Sequence, residues 1–261
     1  MLNISAIPAF KDNYIWVIRH TLTPDKPYGH VIVVDPGDAK PVLSWLDAQQ
    51  LSVSAVLITH NCFDHVLGIE ELISHHPAPV YGPAIEQHND VSHPLEDGSE
   101  IFIGNNLSFH AMLLPGHTLG HLAFYTTGHV FVGDVMFGAG CGRIKKGGNA
   151  EQMFHSLQKL AALPEDTKLY CAHEYTLANL AFAQTVEPSN LAVKKRMKVV
   201  AELRASNKIS LPSTIADELA TNPFLRCTEL EITQSVSHYA DKSLSSEVDV
   251  FSQLRRWKDY Y

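Results

Sequence analysis

The seven residues Thr59-His60-Asn61-Cys62-Phe63-Asp64-His65 place four metal-ligating side chains, His60, Cys62, Asp64 and His65, within six positions. Imidazole, thiolate and carboxylate together suit zinc or iron, whereas calcium and magnesium take oxygen ligands. On extended backbone, alternation sends residues 60, 62 and 64 to one side while His65 turns toward a neighbouring position. The apolar run Ala55-Val56-Leu57-Ile58 just before them reads as a buried strand, so the cluster sits where a strand ends. The same design recurs downstream. Pro115-Gly116-His117-Thr118 follows Met112-Leu113-Leu114, Gly133-Asp134 follows Val130-Phe131-Val132, and Ala172-His173-Glu174 follows Leu169-Tyr170-Cys171. A single His or Asp at a strand end is more often structural. Ligand types at the ends of several strands, however, are how an α/β scaffold builds a site from rigid parts.

The elements that must carry these residues fall into two textures. Up to about residue 175, strand-like runs (Tyr14 to Arg19, His30 to Asp35, Ala55 to Thr59, Leu107 to Leu114, and Leu122 to Val132 around Thr127-Gly128) alternate with helical spacing over Ala39 to Leu51, Gly68 to His75 and Ala150 to Leu163. Asn149 is the expected N-cap of the last helix. After Tyr175 the strand-like runs vanish. Thr176 to Val186, Leu191 to Ser206, Thr214 to Thr221 and Glu247 to Asp259 read as helices, separated by Pro188, Pro212 and Pro223. The expectation is an α/β metal-binding domain over residues 1–174 and a helical domain over residues 175–261.

Composition narrows the partners. The 261 residues are 45% hydrophobic, enough to bury a sizeable core, and the formal charge of −8 disfavours a broad nucleic-acid footprint. No stretch approaches the ~18 to 20 apolar residues that cross a bilayer, and Met1-Leu2-Asn3-Ile4-Ser5 lacks a basic segment leading into an apolar run. The reading is a cytoplasmic monomer. Cys62, Cys141, Cys171 and Cys227 form no C-x-x-C pair and read as reduced thiols. His75, His76, His88 and His93 fall outside the ligand pattern and are expected at the surface.

Thr59-His60-x-Cys62-x-Asp64-His65, Gly116-His117-Thr118, Gly133-Asp134 and Cys171-Ala172-His173-Glu174-Tyr175 resemble, in order and spacing, the T-H-x-H-x-D-H, G-H-T, G-D and H-E-Y-T signatures of the glyoxalase II family. The resemblance extends through Asp12-Asn13-Tyr14, Val34-Asp35-Pro36-Gly37-Asp38, Cys141-Gly142-Arg143, Asn222-Pro223-Phe224-Leu225-Arg226 and Arg255-x-x-Lys258-Asp259, essentially the whole chain. It implies the αββα sandwich of the metallo-β-lactamase superfamily followed by a helical substrate domain. It also implies two divalent metal ions, zinc first, with iron or manganese and single-metal occupancy as alternatives. His60, position 62 and His117 would hold one ion, Asp64, His65 and His173 the other, and Asp134 would bridge them. The implied reaction is hydrolysis of S-D-lactoylglutathione and related glutathione thioesters by a metal-bound hydroxide, in methylglyoxal detoxification. Asp64 would orient that hydroxide, and the thiolate, with a thiol pKa of roughly 8.5, leaves without a strong acid.

By the same resemblance Arg143, Lys145, Tyr175, Asn179, Arg255 and Lys258 would hold the glutathione arm, giving an acidic protein the local cations an anionic substrate requires. Lys145 stands where the family places Tyr or Phe. Lys145 and Lys146 are also readable as a solvated basic turn. Cys62 stands where the family has His. As a ligand it would add a negative charge and make the metal less electrophilic, slowing turnover. The other reading is a small packing residue that points away. Asn61 and Leu67 depart from the family too. Two further functions share the pattern: a mononuclear-iron persulfide dioxygenase, whose relatives lack this C-terminal domain, and a lapsed enzyme retaining metal or glutathione-conjugate binding.

Overall fold

The computed structural model describes residues 2–20, 29–104, 107–145 and 147–261. Lys146 lies outside them. The chain divides into two compact units: one runs to Leu113 and resumes over Leu119–Gly133, the other comprises Leu114–Thr118 and Asp134–Tyr261.

In the first unit, six strands follow the chain in order: β1 (Asn3–Ala9), β2 (Asn13–His20), β3 (His30–Val34), β4 (Ser52–Leu57), β5 (Val80–Pro83) and β6 (His93–Leu95). β1, β2 and β3 are antiparallel hairpin neighbours, while β3 to β6 run parallel. Parallel neighbours need crossovers. Helix α1 (Ala39–Gln49) supplies the first, and α2 (Phe63–Val66) with α3 (Ile69–His75) the second. The Asp38 side chain caps the N-terminus of α1 by accepting from Lys40 N. Val42 and Leu46 of α1 and Ile69 and Leu72 of α3 join Val31, Val33, Val56 and Ile58 in one buried core. β3 and the end of β4 are near-continuous apolar runs because both their faces are covered.

An antiparallel meander completes this unit: β7 (Glu100–Ile103), β8 (Leu107–Leu113), β9 (Leu122–Thr126) and β10 (His129–Gly133). Alternation shows on β8, where Phe109 and Ala111 are buried and His110 is exposed.

The second unit is mainly helical. It opens with the small ribbon β11 (Met136–Phe137) and β12 (Gly140–Cys141), then α4 (Ala150–Ala161), β13 (Lys168–Cys171), α5 (Thr176–Val186), α6 (Leu191–Ala205), β14 (Ser213–Thr214), α7 (Ile215–Thr221), α8 (Leu230–Ala240) and α9 (Glu247–Tyr260). Asn149 caps α4 through a reciprocal capping box with Gln152. Leu180 and Ala183 of α5 pack on Val193 and Val200 of α6. Phe154, Phe182, Phe224, Phe251 and Trp257 form a chain of edge-to-face and stacked rings.

Two sequence readings need correction, and one helix was missed. Strand structure does not vanish after Tyr175, since Ser213 and Thr214 pair antiparallel with Leu169 and Lys168. The extended backbone expected over residues 60 to 64 ends at Cys62, where α2 begins, so Asp64 and His65 ride on a helical turn closed by His65 N donating to Cys62 O at 2.9 Å. Helix α8 is absent from the sequence reading: its buried residues Ile232 and Val236 lie one turn apart, but most of the residues around them have weak helix propensity.

Candidate metal centre

The parallel register sets the first group of donors. Val34 pairs with Leu57, so Asp35 and Thr59 emerge side by side beyond the ends of β3 and β4. Asp35 accepts from the Thr59 backbone N–H and from its hydroxyl, each at 2.8 Å. Having given its proton to Asp35, the hydroxyl accepts from His60 Nδ1 at 3.0 Å. The Nε2 of His60 is then the metal-competent nitrogen. His65 stands between two carboxylates, its Nδ1 3.0 Å from Asp35 Oδ2 and its Nε2 3.6 Å from Asp64 Oδ2. Through Thr59, one buried carboxylate thus selects the tautomer of His60, and it pairs with His65 as well. The His60 and His65 rings are 4.0 Å apart, and His121 stacks on His60 at 4.5 Å and 20°. Asn13 Nδ2 donates to Asp64 Oδ2 at 3.2 Å, and Cys62, half-buried, stands between His60 and this carboxylate in the chain.

The second unit assembles His117, Asp134 and His173. His117 Nε2 lies 3.4 Å from Asp134 Oδ2, and His173 Nε2 lies 3.3 Å from Asp134 Oδ1. The carboxylate therefore spans two imidazoles. His117 Nδ1 donates to the Arg143 carbonyl at 2.8 Å, leaving Nε2 as the lone-pair nitrogen. A side chain at Gly142 would collide with the backbone carbonyl of Asp134 and approach His117 Nδ1 at 3.1 Å, so this close passage requires glycine. These His, Cys and Asp side chains offer a donor set compatible with a divalent metal site.

The residues expected to hold glutathione all lie in the second unit, but in different settings. Arg255 is buried, its Nη1 donating to the Cys141 carbonyl at 2.9 Å and its guanidinium paired with Asp259 at 2.9 Å. Arg143 is exposed and reaches the same Asp259 at 3.7 Å. The Lys258 ammonium sits over the Phe182 and Tyr261 rings, and burial, then the charges of Arg255 and Arg143, lower its pKa. Arg143, Arg255 and Lys258 thus form one cationic group around Asp259. Tyr175 stacks on His173 at 4.9 Å and 3°. Asn179 is buried and donates to the Gly138 carbonyl, bracing the turn between β11 and β12. Lys145 is exposed, and its backbone N–H donates to His117 O at 3.0 Å.

A family model described as the metallo-beta-lactamase superfamily matches residues 13–173, and one described as the hydroxyacylglutathione hydrolase C-terminus matches residues 174–261. A hydroxyacylglutathione hydrolase of Pseudomonas entomophila is 48% identical over the full length of both chains. The chain belongs to the hydroxyacylglutathione hydrolase family. A member from Nitrosomonas europaea is 44% identical, covering all of this chain and 97% of its own. At the level of fold, this family member resembles the crystal structure of ETHE1 from Myxococcus xanthus (TM-score 0.66, 20% identity, 99% of this chain and 98% of that one). It also resembles the BLEG-1 B3 metallo-beta-lactamase (TM-score 0.63, 23% identity, 85% and 99%). The αββα metallo-β-lactamase fold with a helical C-terminal region is therefore the fold of this hydroxyacylglutathione hydrolase family member.

Asp35 and His121 are two site residues that sequence reasoning left unassigned. Asp35 ends the run Val31-Ile32-Val33-Val34, the same apolar-run-then-ligand pattern that exposed His117, Asp134 and His173. His121 carries no such signal, because its role depends on Gly133 and His60 lying beside it. Cys141, Cys171 and Cys227 are buried. Burial pushes the pKa of each thiol up, and no disulfide joins any of the four cysteines.

Proposed function

We propose that this chain hydrolyses S-D-lactoylglutathione and related glutathione thioesters, releasing glutathione and D-lactate or another 2-hydroxy acid. The observation that carries this is the full-length match to hydroxyacylglutathione hydrolases, including the C-terminal family model. Residues 1–174 serve as the metal-binding catalytic part and 175–261 as the substrate-binding part. Motif order assigns His60, Cys62 and His117 to one divalent ion, Asp64, His65 and His173 to a second, and Asp134 to both. Zinc is the first choice for this mixed nitrogen, sulfur and oxygen set. Such ions supply Lewis acidity and acidify coordinated water.

The protein's own contribution is orientation and charge. Asp35, through Thr59, and the Arg143 carbonyl fix the tautomers of His60 and His117 before any ligand arrives. Asn13 holds one oxygen of Asp64, so the carboxylate is pre-aimed to orient water for attack on the thioester carbonyl. The cations Arg143, Arg255 and Lys258, with Tyr175, Asn179 and Lys145, receive the anionic glutathione arm. No protein nucleophile is required. The substrate is a small molecule, with neither nucleic acid nor membrane as a partner, and the setting is the cytoplasm, where unpaired thiols persist. Among the described residues, no helix is long and apolar enough to cross a membrane.

The test is thioester loss and thiol release from S-D-lactoylglutathione by metal-quantified protein. Turnover is expected. A metal-replete but inert protein would favour the lapsed enzyme, and oxygen uptake with glutathione persulfide the dioxygenase.

A further inference from the structure

A thioester has two arms, and the reading above accounts for the glutathionyl one. Beside the candidate metal ligands of the first unit lies an apolar group that this reading does not use. Phe10, Phe63 and Leu67 are 51%, 72% and 68% exposed, unusually open for side chains this large. The Phe10 and Phe63 rings meet edge to face with centroids 6.4 Å apart.

Their position is fixed by the ligand loop itself. Phe63 lies between Cys62 and Asp64 in the chain. Phe10 starts the turn between β1 and β2, closed by the Ala9–Asn13 pair, and Asn13 fastens the far side of that turn to Asp64 through its carboxylate and its backbone carbonyl. Gly37 fills the remaining space: a side chain there would collide with the Asp64 carbonyl and touch Phe10 Cε2 at 3.0 Å. Both rings are thus anchored to the backbone of Asp64 while their outer faces stay in solvent.

Phe10 is also held at φ 48°, a left-handed conformation that suits Gly or Asn and costs a bulky aromatic residue. Local folding gives no reason for an exposed phenylalanine at such a point. Strained residues persist where the surroundings over-determine them, and they concentrate at ligand sites.

We infer that Phe10 and Phe63, flanked by Leu67, form an apolar subsite for the acyl arm of the thioester, selecting aryl or other apolar acyl groups over small hydroxyacyl ones. This rests on the thioesterase reading and deepens it. Its physical basis is the water-exposed aromatic surface that an apolar acyl group would cover beside the reacting carbonyl.

The test compares kcat/KM for S-D-mandeloylglutathione and S-D-lactoylglutathione in metal-loaded wild type, Phe10→Asn, Phe63→Ala and the double variant. A second readout, on the same proteins, is the affinity for the unreactive thioethers S-benzylglutathione and S-methylglutathione. Asn is comfortable at positive φ, so Phe10→Asn is expected to fold at least as stably as wild type. The mandeloyl-to-lactoyl selectivity ratio is expected to fall about tenfold in the double variant, the scale of apolar-pocket discrimination, with the benzyl-over-methyl preference falling in parallel. Wild type active on thioesters but with both ratios unchanged in the variants overturns the subsite alone. Wild type inert toward every thioester overturns the thioesterase reading and the subsite with it.

Discussion

Asp35 Oδ2 stands 3.0 Å from His65 Nδ1 and also accepts the Thr59 hydroxyl that receives His60 Nδ1. A single buried carboxylate therefore orients two candidate metal ligands from different positions along the chain. Asp35→Asn keeps the shape but removes the charge and one acceptor. Metal affinity, measured by competition with a chromophoric chelator, is expected to fall about 10- to 100-fold, the usual effect of losing such an outer partner. An unchanged affinity in a folded variant would show that the histidines need no such orientation.

Cys62 differs from the other three cysteines in exposure. It is half-buried, whereas Cys141, Cys171 and Cys227 are buried with pKa values pushed up by desolvation. In native metal-free protein, a thiol reagent is expected to modify one cysteine rapidly and three slowly, and the fast one, identified by peptide mapping, is Cys62. Added zinc should protect it if the thiolate is a ligand. Equal labelling with and without metal would favour the reading in which Cys62 only packs. Cys62→His restores the family donor and removes a negative charge. We expect a higher kcat from it at equal metal content.

The strands that lead into the ligands were legible because apolar runs end abruptly in ligand types, as at Ile58 to His60 and Val132 to Asp134. Asn149 was legible as the cap of α4, and the helices read over Ala150 to Leu163 and Leu191 to Ser206 end within two residues of the observed bounds. What escaped reading depends on neighbours distant in the chain. The short strands Val80–Pro83 and His93–Leu95 contain Gly or Pro and gain their order from parallel partners. The burial of Arg255 was equally hidden. Nothing local distinguishes it from an exposed helical arginine, yet its guanidinium reaches the Cys141 carbonyl from 114 residues away.

Lys258 provides a pH signature. Burial and the nearby guanidinium charges of Arg255 and Arg143 lower its pKa. The ammonium form is the one that attracts an anionic glutathione arm. That attraction is complete below the Lys258 pKa and is lost as pH climbs through it, which happens at lower pH than for an ordinary lysine. KM is therefore expected to rise on the alkaline side before kcat changes. Lys258→Arg, whose charge persists, should move that rise upward. Superimposable KM profiles for the two proteins would remove Lys258 from substrate binding.

Glu218 on α7 is fully buried and braces the turn between β11 and β12. One carboxylate oxygen pairs with Arg196 Nη2 at 2.7 Å, and the other accepts the Ala139 N–H at 2.8 Å and Asn222 Nδ2 at 3.0 Å. Asn222 in turn donates to the Gly140 carbonyl. Ala139 lies in the turn before β12, and Gly140 opens the strand that leads into Cys141-Gly142-Arg143. Glu218→Ala leaves the largely buried Arg196 without its counter-charge, and one-sided removal of such a pair costs about 3 to 5 kcal/mol. A urea unfolding midpoint lowered accordingly is expected, with partial recovery in the Glu218→Ala/Arg196→Met double variant, where no buried charge is stranded. The turn should loosen as well, so in whatever fraction folds KM for glutathione thioesters rises more than kcat falls. A loss below about 1 kcal/mol would mean that water reaches Arg196 easily and that the pair supports neither the helices nor the turn.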